Sequence, residues 1–265
     1  MVEYQWHIVR RGDSTKPPLW LLHGFMGDVA DWTEVMEHLE GDYYCCAVDL
    51  PGHGRTVTFD HENFFAMPRV ADALAEVIEG FGRPISLAGY SMGGRLALYL
   101  AVHYPKLLNG VVIESGSPGL QGEQERRQRR LHDEALAERL ESEPLEQFLT
   151  WWYSQPLFTT LAADKEQLQQ VIARRGRQDP KGLALSLRMM GTGVQPPLWE
   201  KLASVSCPMH LIVGENDDKF RQIARRMTEH NSRLTTTIIE GAGHNTHEER
   251  PEAFTSALRR LLRKG

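Results

Sequence analysis

Four short apolar runs in the first half of the chain constrain the fold more than any other feature. They are LWLLHGF (19–25), YYCCAVDLPGHG (43–54), PISLAGYS (84–91) and NGVVIESGSPG (109–119), each ending in glycine or turn residues. Runs that are apolar on both faces read as strands covered on both sides. Helical patterns separate them, notably MPRVADALAEVIEGFG (67–82) and GRLALYLAVHYP (94–105). Buried strands alternating with helices predict an α/β fold: a mostly parallel central sheet with helices on both faces.

The pattern breaks after Gly119. From about 120 to 200 the chain is strongly charged and helical in pattern, as in QGEQERRQRRLHDEALAERLESEPLEQFLTWWY and DKEQLQQVIARRGRQ. Strand character returns near Cys207 with PMHLIVGENDD (208–218). A helix (220–230), the run LTTTIIEGAGHNTH (234–247) and a terminal helix after Pro251 follow. The expected organisation is a core built from residues 1–119 and 201–265, interrupted by a helical cap, or lid, insertion over 120–200.

At 265 residues, 41% hydrophobic and 25% charged, the chain is ordinary globular material for one large domain with an insertion. A formal net charge of −5 argues against a general nucleic-acid binder. The three cysteines, Cys45, Cys46 and Cys207, give neither a disulfide framework nor a zinc spacing. The N-terminal stretch lacks a basic region followed by an apolar one, and no apolar run approaches the roughly 20 residues that span a bilayer. The expectation is a cytoplasmic enzyme without a membrane span. Oligomeric state is left open.

Gly89-Tyr90-Ser91-Met92-Gly93 matches G-x-S-x-G between an apolar strand and a helix. In that context it reads as a nucleophile elbow, and the chain as an α/β-hydrolase fold, with Ser91 projected by a tight turn. A serine hydroxyl needs a base, and the base needs an orienting acid. On this fold the acid and histidine follow the serine in chain order, each after a later strand. His244, in the turn GAGHN, is the expected base. His247 is its rival and is assigned a surface role. After HLIVG the acids are Glu215, Asp217 and Asp218; G-x-x-D spacing favours Asp217. The amides of Phe25, in His23-Gly24-Phe25, and of Met92 are the expected oxyanion-hole donors. His23 and His53 read as structural.

Arg95 lies four residues beyond Ser91 and so shares its helix face. A guanidinium beside the nucleophile would serve an anionic substrate, since it binds carboxylate bidentately. Alternatively it turns outward and pairs with a surface carboxylate. The insert adds Arg126, Arg127, Arg129, Arg130, Arg174, Arg175, Arg177 and Arg188, mostly expected on a solvated face beside Glu123, Glu125, Asp133 and Glu134. Trp151, Trp152 and Tyr153 supply apolar bulk.

LLHGFMGD, VDLPGHG, GYSMGGR, SPGLQ before an Arg-rich helix, WWYSQPLF, GENDDKFR and GAGHNTHEERP occur in this order along nearly the whole chain. Together they resemble the 2-succinyl-6-hydroxy-2,4-cyclohexadiene-1-carboxylate synthases of menaquinone biosynthesis (the MenH family). The discriminating segments are GGR after the serine, SPGLQ, W-Y-x-QP-x-F and DxKFR. The resemblance implies a carbon–oxygen lyase that needs no metal or cofactor. It would eliminate pyruvate from 2-succinyl-5-enolpyruvyl-6-hydroxy-3-cyclohexene-1-carboxylate, a small polyanionic substrate. It further implies Ser91 as proton-abstracting base, activated by His244 and Asp217, with Phe25 and Met92 amides stabilising the enolate oxygen. Tyr90, Arg95, Arg129 and Trp152 would bind substrate. The family's other lid arginine falls at Arg174 or Arg175, and Arg175 keeps the better spacing to the downstream leucines. Trp151 is a departure, because only Trp152 matches.

Two other readings compete. One is a carboxylic-ester or C–C bond hydrolase using the same triad. The other is a non-catalytic binding module, which would have no need of the full Ser, Asp and His set.

Overall fold

The computed structural model describes residues 4–58 and 62–263. Seven strands form one sheet: β1 (Ile8–Arg11), β2 (Pro18–Leu22), β3 (Tyr44–Val48), β4 (Ile85–Tyr90), β5 (Leu108–Glu114), β6 (Met209–Gly214) and β7 (Thr235–Ile239). Their order across the sheet is β1-β3-β2-β4-β5-β6-β7, with only β1 antiparallel to its neighbour. A separate two-stranded ribbon pairs Tyr4–Gln5 with Val57–Thr58.

The apolar runs are strands because both of their faces are covered. Side chains alternate across a strand, so Leu19 and Leu21 enter one core layer while Trp20 and Leu22 enter the other. Cys45 and Cys46 divide in the same way, which places adjacent thiols on opposite faces. Burial pushes the Cys45 thiol up to about 12 and Cys46 to about 11, so both remain packed thiols rather than nucleophiles.

One layer holds α1 (Thr33–Leu39) and the terminal helix Pro251–Leu262; the other holds α2 (Met67–Gly80), α3 (Met92–His103) and the helix Asp218–His230. Between β5 and β6 the chain forms α4 (Glu123–Ser142), α5 (Leu145–Tyr153), α6 (Lys165–Arg175) and α7 (Pro180–Met190), with no strand among the residues from 120 to 200. These helices have their own apolar centre, including Leu136, Leu140, Phe148, Tyr153, Leu183 and Leu187. Met26, from the turn after β2, is buried in that same cluster and joins it to the sheet. No helix of the described residues is long and apolar enough to cross a membrane.

The six parallel strands all end at one edge of the sheet, so the turns after Leu22, Val48, Tyr90, Glu114, Gly214 and Ile239 gather there. In open parallel sheets that edge is where ligands bind. After β6 comes α8 (Asp218–His230), and α9 (Pro251–Leu262) closes the described chain.

Candidate active site

Ser91 sits between β4 and α3 with φ 48° and ψ −102°, a left-handed φ that a non-glycine residue rarely adopts. The conformation is held from both sides. Ser91 N–H donates to Glu114 O at 2.8 Å, and Gly93 N–H donates to His23 O at 3.1 Å. The flanking glycines are there for space. A Cβ on Gly89 would strike the Gly93 carbonyl, and one on Gly93 would strike the Leu22 carbonyl.

His244 lies in the turn after β7 and is buried. Its Nδ1 is 2.7 Å from Asp217 Oδ2 and its Nε2 is 3.2 Å from Ser91 Oγ. A carboxylate can only accept, so Nδ1 carries the proton and Nε2 is left to receive one from the serine. Glu249 fixes the turn, accepting from Gly243 N–H at 2.8 Å and Asn245 N–H at 3.2 Å on either side of the histidine. Asp217 also caps α8 by accepting from Phe220 N–H at 3.2 Å. Asp218 points away: its side chain is 84% exposed and pairs with Arg221, whereas that of Asp217 is 4% exposed. Asp217→Asn is therefore expected to cut kcat by about 10⁴-fold through loss of tautomer control. Asp218→Asn should leave kcat close to wild type, and equal losses in steady-state assays would reverse the assignment.

The turn after β2 brings a second wall against Ser91. Gly24 faces it so closely that an added Cβ would lie 3.6 Å from Ser91 Cβ. His23 holds this turn: Nε2 accepts from Leu50 N–H at 2.9 Å, which leaves Nδ1 to donate to Gly24 O at 2.7 Å. His53 is buried beside it, 5.1 Å between ring centres, and burial holds it well below the usual histidine range. Neither the Phe25 nor the Met92 amide donates to an acceptor among the described residues.

A cavity of about 410 Å³ opens over Ser91 and His244, between the sheet edge and α4, α5, α7 and α8. Phe25 and Trp152 line it as an edge-to-face pair, 5.5 Å between centres. Its charged lining is Arg95, Arg129, Lys219 and Arg226, against one acid, Glu125. Arg95 is turned inward, so the alternative of an outward surface pair does not occur. Its Nη1 donates to Met190 O at 2.7 Å and Gln195 Oε1 at 3.0 Å. Burial, then the nearby Arg129, bring its pKa down to about 10. Arg129 is bound to buried Asp133 at 2.7 Å.

Three expectations meet a different placement. Arg175 does not line this cavity; its side chain is 3% exposed and pairs with Asp31 at 2.6 Å, with Tyr153 Oη at 3.3 Å. Arg174 also faces elsewhere, paired with Glu248 at 2.6 Å. Tyr90 lies outside the cavity wall too, its ring packed beneath His244 and His247 at 5.4 and 4.9 Å. His247 is not a surface residue. It is fully buried, stacked on Trp32 at 4.2 Å, with Nδ1 2.7 Å from Glu114 Oε2. Burial alone would lower its pKa, but the Glu114 carboxylate outweighs this and raises it. Glu114 also accepts from Thr246 Oγ1 at 2.6 Å and His247 N–H at 3.0 Å. With its carbonyl on Ser91 N–H, this one residue ties the elbow to the histidine turn. Removing one partner of a buried pair leaves the other uncompensated, so Glu114→Ala should cost about 3–5 kcal/mol in urea unfolding. A loss below about 1 kcal/mol would contradict the clamp.

Neither Lys219 nor Arg226 was named from the sequence as a site residue, although Lys219 lies in the DxKFR segment. A signal was present: Lys219, Ile223 and Arg226 recur at i, i+4 and i+7 and so share one face of α8. Burial, then Arg129, lower the pKa of Lys219. Arg226 lies over the Trp199 ring at 4.3 Å and donates to Gln121 Oε1 at 3.1 Å.

Comparison with known proteins agrees with this architecture. Residues 21–257 match the alpha/beta hydrolase family. The 2-succinyl-6-hydroxy-2,4-cyclohexadiene-1-carboxylate synthase of Salmonella typhimurium is 37% identical over 255 residues, covering 95% of this chain and 96% of its own. The enzyme of that name from Salmonella enteritidis matches to the same extent. The solved structure of MenH from S. aureus superposes with a TM-score of 0.92 at 31% identity, covering 100% of this chain and 99% of that one. An enol-lactonase from Burkholderia xenovorans, 15% identical with a TM-score of 0.83 and covering 98% of this chain and 97% of that one, shares the fold alone. The chain belongs to the alpha/beta hydrolase family and, within it, to the 2-succinyl-6-hydroxy-2,4-cyclohexadiene-1-carboxylate synthases, or MenH family.

Proposed function

We propose that this chain is a cytoplasmic carbon–oxygen lyase that runs a hydrolase-type triad as a proton-transfer device. The substrate is 2-succinyl-5-enolpyruvyl-6-hydroxy-3-cyclohexene-1-carboxylate; the products are pyruvate and 2-succinyl-6-hydroxy-2,4-cyclohexadiene-1-carboxylate. One observation carries the reading. The Ser91–His244–Asp217 hydrogen-bond chain opens onto a cavity whose charged lining is four cations and a single acid. A neutral ester has no use for such a wall, whereas a substrate with three carboxylates does.

In the first step Ser91 Oγ takes the proton from the ring carbon bearing the succinyl ketone as its own proton passes to His244 Nε2. Negative charge develops on the ketone oxygen, where the Phe25 and Met92 amides receive it. Collapse of the enolate shifts the ring double bond and breaks the carbon–oxygen bond to the enolpyruvyl group. The departing enolate takes up the proton held by His244, which restores the triad, and leaves as enolpyruvate that becomes pyruvate, so no water is consumed. Arg95, Arg129, Lys219 and Arg226 hold the carboxylates, and Trp152 packs on the ring. Residues 120–200 act as a cap over the core of 1–119 and 201–265 and keep water from the enolate.

The test sets pyruvate release from the enolpyruvyl substrate, followed with lactate dehydrogenase, beside hydrolysis of p-nitrophenyl acetate. Catalytic release of pyruvate supports the lyase. Ester turnover with no pyruvate above background replaces it with a hydrolase.

A further inference from the structure

Buried and half-buried arginines in this protein have carboxylates of their own: Arg129 has Asp133, Arg174 has Glu248, Arg175 has Asp31 and Arg188 has Glu134 and Glu141. Arg95 differs. Its Nη1 bonds go to a backbone carbonyl and to the side-chain oxygen of Gln195, and no carboxylate among the described residues pairs with it. We propose that Gln195 is a specificity-determining positioning residue, which aims Arg95 into the cavity while leaving its positive charge for an anionic substrate. The inference rests on the anion-binding reading of the cavity.

The chemistry of the two partners dictates the residue type. A guanidinium only donates, so Gln195 Oε1 faces it; the carbonyl of Ser117 only accepts, so Nε2 faces that, at 3.2 Å. The amide therefore has a single satisfactory orientation. Glutamate, of the same shape, would set an oxygen without a proton against the Ser117 carbonyl. It would also form an ion pair with Arg95, which an incoming carboxylate would have to displace.

The position is built to hold that amide. Gln195 is completely buried and does not line the cavity, so it acts on substrate through Arg95. Its backbone N–H donates to Gly191 O at 3.1 Å, just beyond the end of α7. On the other side lies Gly119, at φ +92°, where an added Cβ would sit 3.3 Å from the Gln195 amide carbon. The lowered pKa of Arg95 accords with a cation desolvated beside Arg129, a combined effect that the Asp133 carboxylate, paired with Arg129, offsets only in part.

The experiment is a double-mutant cycle on the full chain, with KM and kcat measured for the enolpyruvyl substrate. Gln195→Glu should raise KM about 10- to 100-fold and change kcat by no more than about threefold, since the loss is one of charge at a preformed contact. In an Arg95→Ala background the same substitution should have no further effect on KM, because the group it acts through is gone. Gln195→Met, neutral and of similar volume, should raise KM by only about 3- to 10-fold, as orientation is lost and charge kept. The inference is overturned if Gln195→Glu leaves KM within about twofold of wild type, or raises it equally without Arg95. It is also overturned if the methionine variant is as impaired as the glutamate one. Should Gln195→Glu fail to fold, the methionine variant decides alone: an unchanged KM overturns the inference. A silent Arg95→Ala removes the anion-binding reading and this inference together, whereas a damaging Arg95→Ala beside a silent Gln195→Glu removes only the inference.

Discussion

Ser91→Ala is expected to abolish turnover while leaving the melting temperature close to wild type. The two effects separate because the hydroxyl and the backbone do different jobs. Alanine keeps a Cβ, so the left-handed conformation at φ 48° costs what it did before, and the bonds from Ser91 N–H and Gly93 N–H remain. What disappears is the only described oxygen within hydrogen-bonding distance of His244 Nε2, at 3.2 Å. Triad knockouts in hydrolases cost on the order of 10⁴- to 10⁶-fold in kcat, and a similar loss is expected here. Retention of more than about a tenth of wild-type kcat would be incompatible with a triad-activated serine. His244→Ala should match it. His247→Ala should instead lower stability, since that ring is bound to Glu114 and stacked on Trp32.

Arg95→Ala is expected to lower kcat/KM for the enolpyruvyl substrate by about 30-fold to several thousand-fold. That range corresponds to roughly 2–5 kcal/mol for truncating one side of a charge-assisted contact in a partly dry site. Arg95→Lys should restore only part of it, because an ammonium lacks the planar fork that meets a carboxylate with two bonds. Turnover of p-nitrophenyl acetate should fall far less, as that ester has no carboxylate to lose. Both substrates are to be measured on one variant, with its melting temperature as the control for damage. Equal losses on the two substrates, or none on either, would contradict anion binding by Arg95.

The parts of this molecule that were legible in the sequence are those set by local physics. The inner strands announced themselves because both of their faces are buried, as at Leu19 to Leu22. The edge strand β1 was not foreseen, since its residues are half-exposed and show no apolar run. The elbow was readable because the glycines around Ser91 are demanded by backbone crowding within a few residues. Asp217 and His244 were readable because each follows a strand that ends at the same sheet edge. Partners brought from far along the chain were another matter. Arg175 was expected at the substrate, but Asp31, 144 residues away, holds it in a buried pair. His247 was expected at the surface, but Glu114, 133 residues away, draws it into the core. Nothing near Gln195 in the sequence foretells its amide bridging Arg95 and Ser117.

The central claim is that Ser91 and His244 remove a proton and do not attack a carbonyl. It is tested most directly by single-turnover reaction of substrate carrying deuterium at the ring carbon that bears the succinyl chain, with pyruvate, diene and enzyme mass followed together. The account predicts slower consumption of the deuterated substrate, equal amounts of pyruvate and conjugated diene, and an enzyme mass unchanged throughout. Equal rates for the two isotopologues, accompanied by an acyl group on Ser91, would contradict it.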